Sequence, residues 1–224
     1  MNTLRNEFYR YTSLSVLGML GSAGTILADT FFVSDRLGAQ GLAALNLAIC
    51  VFGLINGLGL LLGIGGATCY SIASARRQVQ RANAVFSAAF WSSVGCGGVL
   101  AAAGLFLARP MAQLLGAEGA ILPMAEVYLR TILCFAPWFI LRHVYASFLR
   151  NDGNPRLAMA SMLLGSLGNI ALDWLFMYPL DMGIFGAALA TALSPLLSIL
   201  LCLPHLMGRR HGFHLVRRGL RPIR

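Results

Sequence analysis

Residues 165–194 read GSLGNIALDWLFMYPLDMGIFGAALATALS. Two apolar runs meet at the short link YPLDMG, whose Pro, Asp and Gly mark a turn. Each run belongs to a longer apolar stretch, about 156–179 and 183–207, and roughly 20 such residues cross a ~30 Å hydrocarbon core as helix. The polar exceptions are few: Asn169, Asp173 and Thr191. Asn169 and Asp173 are one helical turn apart and share a face. The stretch reads as a transmembrane helical hairpin with polar groups inside its spans.

Working outward, the same pattern predicts six spans, at about 11–34, 42–72, 83–108, 120–148, 156–179 and 183–207. Their other connections are SDRLGAQG, ARRQVQRAN, RPMAQLLGAEG and RNDGNPR. The expected fold class is an all-α integral membrane protein, a six-helix transmembrane bundle. Composition agrees: 58% of the 224 residues are hydrophobic and 11% charged, against about 25% charged in soluble domains. Gly59 and Gly63 form a small-xxx-small pair for close helix approach. Pro137 and Pro195 are expected to kink spans four and six. The five cysteines (Cys50, Cys69, Cys96, Cys134, Cys202) fall singly in apolar segments and read as small buried hydrophobes. No P-loop, HExxH or CxxC is present, so the chain is read as a non-enzyme. His205, His211 and His214 cluster near the C-terminus, where they read as solvated tail residues.

The net charge of +9 comes from arginine alone. Thirteen arginines precede span one or fall in the loops after spans two, four and six, including Arg209, Arg210, Arg217, Arg218, Arg221 and Arg224. The opposite loops hold Arg36 and Arg109. The positive-inside rule places both termini in the cytoplasm, and a loop-bound charge bias of this kind argues against nucleic acid as a partner. Within span four, Glu126 and Arg130 have the spacing of an i,i+4 ion pair, and Arg142 is expected to snorkel toward the cytoplasm.

Carboxylates inside a membrane cost about 2.5–3.5 kcal/mol on insertion scales, which makes them functional candidates. Asp29 and Asp173 are the clearest cases. From the outer span ends, Asp29 and Asp173 lie at roughly 8–9 Å, Thr191 at about 12 Å and Asn169 at about 14 Å, taking a rise of ~1.5 Å per residue. Ala187 precedes Thr191 by one turn. Residues of three helices therefore fall in one layer. Oxygen ligands of this kind suit a hard monovalent cation, and two aspartates that cannot both ionise cheaply in low dielectric equally suit proton storage. The alternative is an interfacial position, since each aspartate lies within about two turns of a span end.

The stretches ADTFFVSDRLGAQGLAALNLA (28–48) and GLGLLLGIGGATCYSIA (57–73) resemble the first two helices of the MATE family of multidrug and toxic compound extrusion transporters. FLRNDGNPRLAMASMLLGSLGNIALDWLFMYPLDMGIFGAALATALS (148–194) resembles that family's fourth loop, fifth helix and sixth helix. LLGAEG (114–119) and the Tyr128-Leu129 pair of EVYLR also fit, and the likeness is greatest to the bacterial DinF-like branch. The resemblance implies an N-terminal six-helix lobe over 1–208 and a basic cytoplasmic tail, the start of an interlobe linker, over 209–224. It implies a cation-binding and coupling site at Asp29, Asn169, Asp173 and Thr191, with Ala187 contributing its backbone carbonyl. It further implies export of organic cations driven by Na⁺ or H⁺ across a bacterial inner membrane, with no other cofactor or metal. Family members have two lobes, so a second lobe is expected as a homodimer partner or a separate chain. Two other readings stay open: a lipid-linked oligosaccharide flippase of the same superfamily, and a non-transporting half-protein.

Overall fold

The structure, a computed structural model, describes residues 2–207 and 212–216. Its elements are α1 (Asn2–Ala75), α2 (Val79–Leu114), α3 (Ile121–Cys134), α4 (Ala136–Asn151), α5 (Pro155–Met177) and α6 (Gly183–Met207). No strand occurs among the described residues.

α1 is helical throughout except at Gly38, where φ is 63° and ψ −155°. That combination is open essentially to glycine alone. Ile26 and Asp29 line one cavity together with Ala48, Ile49 and Phe52. On one straight helix Ile26 and Phe52 would stand about 39 Å apart. The chain therefore turns back at Gly38, and residues 2–37 and 39–75 are two antiparallel arms. The eight-residue loop expected at 34–41 shrinks to this single break. Leu37 and Leu42, which flank it, pack on the core and keep both arms helical up to the turn.

Among the described residues four helices are long and apolar enough to cross a membrane, or five when the α3–α4 pair, bent by 48°, is taken as one span. The two arms of α1, α2, the α3–α4 pair, α5 and α6 fall where the sequence pattern predicts spans. The bend falls at Phe135, with Pro137 in the first turn of α4. Proline lacks the N–H that would continue α3 and crowds the preceding turn. By contrast α6 runs on through Pro195 and Pro204 without interruption.

Small residues set the packing distances. Gly59 abuts the His143 side chain, while Gly63 abuts the His143 backbone and Ser147, so the second arm lies close against α4. Gly18 and Gly21 face Met162, Leu163 and Ser166, joining the first arm to α5. α5 and α6 also pack along each other, as their short link demands. Large apolar side chains such as Leu27, Phe31, Leu61 and Phe106 cover the outside of the bundle, where hydrocarbon rather than water is their solvent.

Glu126 and Arg130 form the expected ion pair at 2.6 Å. Arg142 does not reach out along the surface: its Nε is buried, and the residue lines a half-open cavity with Asn56, His143 and Ser194. The tail is also not simply solvated. Residues 212–216 fold back over the bundle, with Phe213 fully buried against Tyr70, Phe86 and Phe148. The backbone N–H groups of Gly212, His214 and Val216 donate to Asp152, Asn83 and Ser87 at 2.8–2.9 Å. The readings made for His211, Arg209, Arg210, Arg217, Arg218, Arg221 and Arg224 lie outside the described residues.

Candidate cation site

Asn169 and Asp173 occupy one face of α5, buried where it meets α6. Thr191 and Ala187 sit opposite on α6, one turn apart and buried. The Ala187 carbonyl points along the helix toward Thr191. Asp29 enters from the first arm, half-buried.

The Asn169 amide has one orientation that satisfies both neighbours. Its Nδ2 then donates to Asp173 Oδ2 at 3.2 Å, and its Oδ1 accepts from the Thr191 backbone N–H at 3.1 Å. The reverse orientation sets oxygen against carboxylate and leaves one long 3.5 Å contact to Thr191 Oγ1. Amide orientation is assigned from such networks. Asn169 therefore holds Asp173 in place and ties α5 to α6.

Asp29 is reached from a fourth helix. The buried Tyr128 of α3 donates its hydroxyl to Asp29 Oδ2 at 3.4 Å. The same hydroxyl lies within reach of the Thr191 side chain, and Tyr128 feels the charges of both aspartates. Asp29 in turn acts electrostatically on Asp173. The structure thus links Asp29, Asn169, Asp173 and Thr191 in one cluster and adds Tyr128, with Ala187 one turn before Thr191 on α6. EVYLR carried a signal for that tyrosine, but only as part of a family pattern. No spacing rule connects residue 128 to residue 29.

One oxygen of each carboxylate, Asp29 Oδ1 and Asp173 Oδ1, is buried without a hydrogen-bond partner. Buried polar atoms are nearly always paired, because an unpaired one forfeits its hydration. The cavity at Asp29 has a volume of about 120 Å³ and apolar walls that include Leu45, Ile49 and Ile132. That is room for an ion or a few waters. A second cavity, about 300 Å³, shares Ile26, Phe52 and Thr191 with it. Among the described residues no three His, Cys, Asp or Glu side chains converge as a metal site.

Comparison with known proteins agrees with this architecture. Residues 15–175 match the MatE family model. The multidrug export protein MepA of Staphylococcus saprophyticus is 30% identical over 183 residues, which cover 80% of this chain and 41% of MepA. Its Staphylococcus aureus counterpart is 28% identical over 179 residues, 40% of its length. The backbone superposes with a TM-score of 0.87 and 29% identity on an outward-facing multidrug resistance MATE family transporter, covering 96% of this chain and 48% of that one. A MOP superfamily transporter from Pyrococcus furiosus, whose binding pocket has reverse polarity, gives 0.87 and 30% over the same shares. The chain spans less than half the length of these relatives. The family model covers residues 15–175, from the first arm of α1 into α5, and this chain belongs to the MatE family.

Proposed function

We propose that this chain is one six-helix lobe of a cation-coupled exporter of organic cations. Asp29 and Asp173 bind Na⁺ or H⁺, Thr191 and the Ala187 carbonyl complete the oxygen set, and Asn169 and Tyr128 position the carboxylates. The observation that carries this reading is the pair of buried carboxylate oxygens lacking partners, set between helices of one bundle. A bound cation or proton would satisfy them and be released when an organic cation competes for the same negative charge. Drug export by MepA supports the substrate class. Alternating access needs two bundles that rock about a shared cavity, so this lobe works with a second one, supplied by another copy or another chain. The arginine distribution supports a bacterial inner-membrane location with both termini cytoplasmic.

Asp29→Asn and Asp173→Asn test the proposal in cells where the chain supports efflux. Each variant is expected to abolish Na⁺- or H⁺-dependent extrusion of a fluorescent organic cation while the protein still reaches the membrane. Efflux at the unaltered rate in both variants overturns it.

A further inference from the structure

Asn56, on the second arm, donates its Nδ2 to the Phe52 carbonyl at 2.8 Å. That bond fixes the amide and turns Oδ1 toward His143, whose Nε2 lies 2.7 Å away. Oδ1 only accepts, so Nε2 must carry a proton. The Arg142 Nη2 that approaches the same Nε2 at 3.3 Å therefore meets another donor, and no hydrogen bond joins them. Arg142 Nε is buried and unpartnered. Among the described residues none of the ion pairs includes Arg142. The other charge acting on His143 is Arg150, also positive. A guanidinium with five donors and no acceptor among the described residues thus lines a half-open cavity of about 300 Å³.

We infer that this cavity holds the carboxylate of an amphiphilic zwitterion, with Arg142 as its anion-binding residue and the acidic cluster receiving the cationic end. The second half of that statement rests on the function proposed above. A single guanidinium matches a monoanion, and a carboxylate accepts two parallel N–H bonds from it. The spacing is set by the two arms of α1. Asp29 stands 9 residues before Gly38 and Asn56 18 after it, so the Arg142 level lies about 13 Å farther from the turn, at ~1.5 Å per residue. The two cavities adjoin, with Ile26, Phe52 and Thr191 lining both. Ile26 and Phe52 make the shared wall largely apolar, as an alkyl or aromatic spacer requires.

The test is equilibrium binding to the purified chain in lipid nanodiscs, with empty nanodiscs as blank. The probes are 11-aminoundecanoate, undecylamine and undecanoate, which share one spacer and differ only in their charged ends. The unaltered chain should bind the zwitterion at least tenfold more tightly than undecylamine. Arg142→Gln should erase that advantage and leave undecylamine binding unchanged, which also shows that the variant is folded; Arg142→Lys should restore part of it. An unaltered chain that binds undecylamine as tightly as the zwitterion overturns the inference without any variant, and so does an advantage that survives in Arg142→Gln. If undecylamine fails to bind while undecanoate binds in an Arg142-dependent way, the anion site stands and the cation-coupled reading fails.

Discussion

Tyr128 shows how much of the candidate site rests on single atoms. Its hydroxyl is the hydrogen-bond donor to Asp29 and comes from α3. Tyr128→Phe removes this donor and leaves the ring that packs in the core. A hydrogen bond to the carboxylate stabilises its ion-free, charged form by about 1.5 kcal/mol, so without it the coupling ion should bind roughly tenfold more tightly, with the melting temperature lowered by only a few degrees. Titration of Na⁺ or H⁺ against the intrinsic fluorescence of the purified chain would show it. The aspartates, Asn169 and Thr191 were legible in the sequence because a polar residue in an apolar run stands out against its cost. Tyr128 was not, since an aromatic with a polar tip is ordinary in such a helix. Arg142 was visible as a charge, but its direction was misread. A long side chain near a span end can snorkel or turn inward, and only the packing of α4 on the second arm decides which.

At the scale of elements, glycines carry the geometry in two different ways. Gly38 supplies a backbone conformation: its φ of 63° with ψ −155° lets two arms meet without a loop. Gly38→Ala should cost about 1–3 kcal/mol in this region, read as a lowered melting temperature in detergent and a higher protease sensitivity between residues 37 and 39. Gly97 supplies absence of volume instead. A Cβ there would run into the backbone of Pro137, whereas one on neighbouring Gly98 would meet nothing within 4 Å. Gly97→Ala should destabilise by about 1–3 kcal/mol through overpacking, and Gly98→Ala should leave thermal stability unchanged or slightly raised. Equal melting temperatures for the two variants would contradict the close packing of α2 on the proline bend of α4. Both effects sit in residues that sequence reading lumps together as helix glycines.

At the scale of the whole molecule, Phe213 closes the bundle. It fills a pocket between Tyr70, Phe86 and Phe148, with ring centroids 4.6–6.0 Å away, and three backbone hydrogen bonds pin residues 212–216 beside it. Phe213→Ala should cost about 3 kcal/mol and expose this segment to limited proteolysis, measurable as earlier cleavage and a lower melting temperature. The sequence by itself determined that the chain is a helical membrane bundle, where its crossings lie and which residues are costly enough there to have a function. Hydropathy and charge settle those points because hydrocarbon penalises every polar group independently of its neighbours. Only the tertiary structure decided which of those groups meet. The convergence of Asp29, Asp173 and Tyr128, the inward turn of Arg142 and the return of Phe213 onto the bundle all depend on contacts between segments far apart in the chain. Such contacts are set by shape and side-chain pairing, which leave no periodic trace in the sequence.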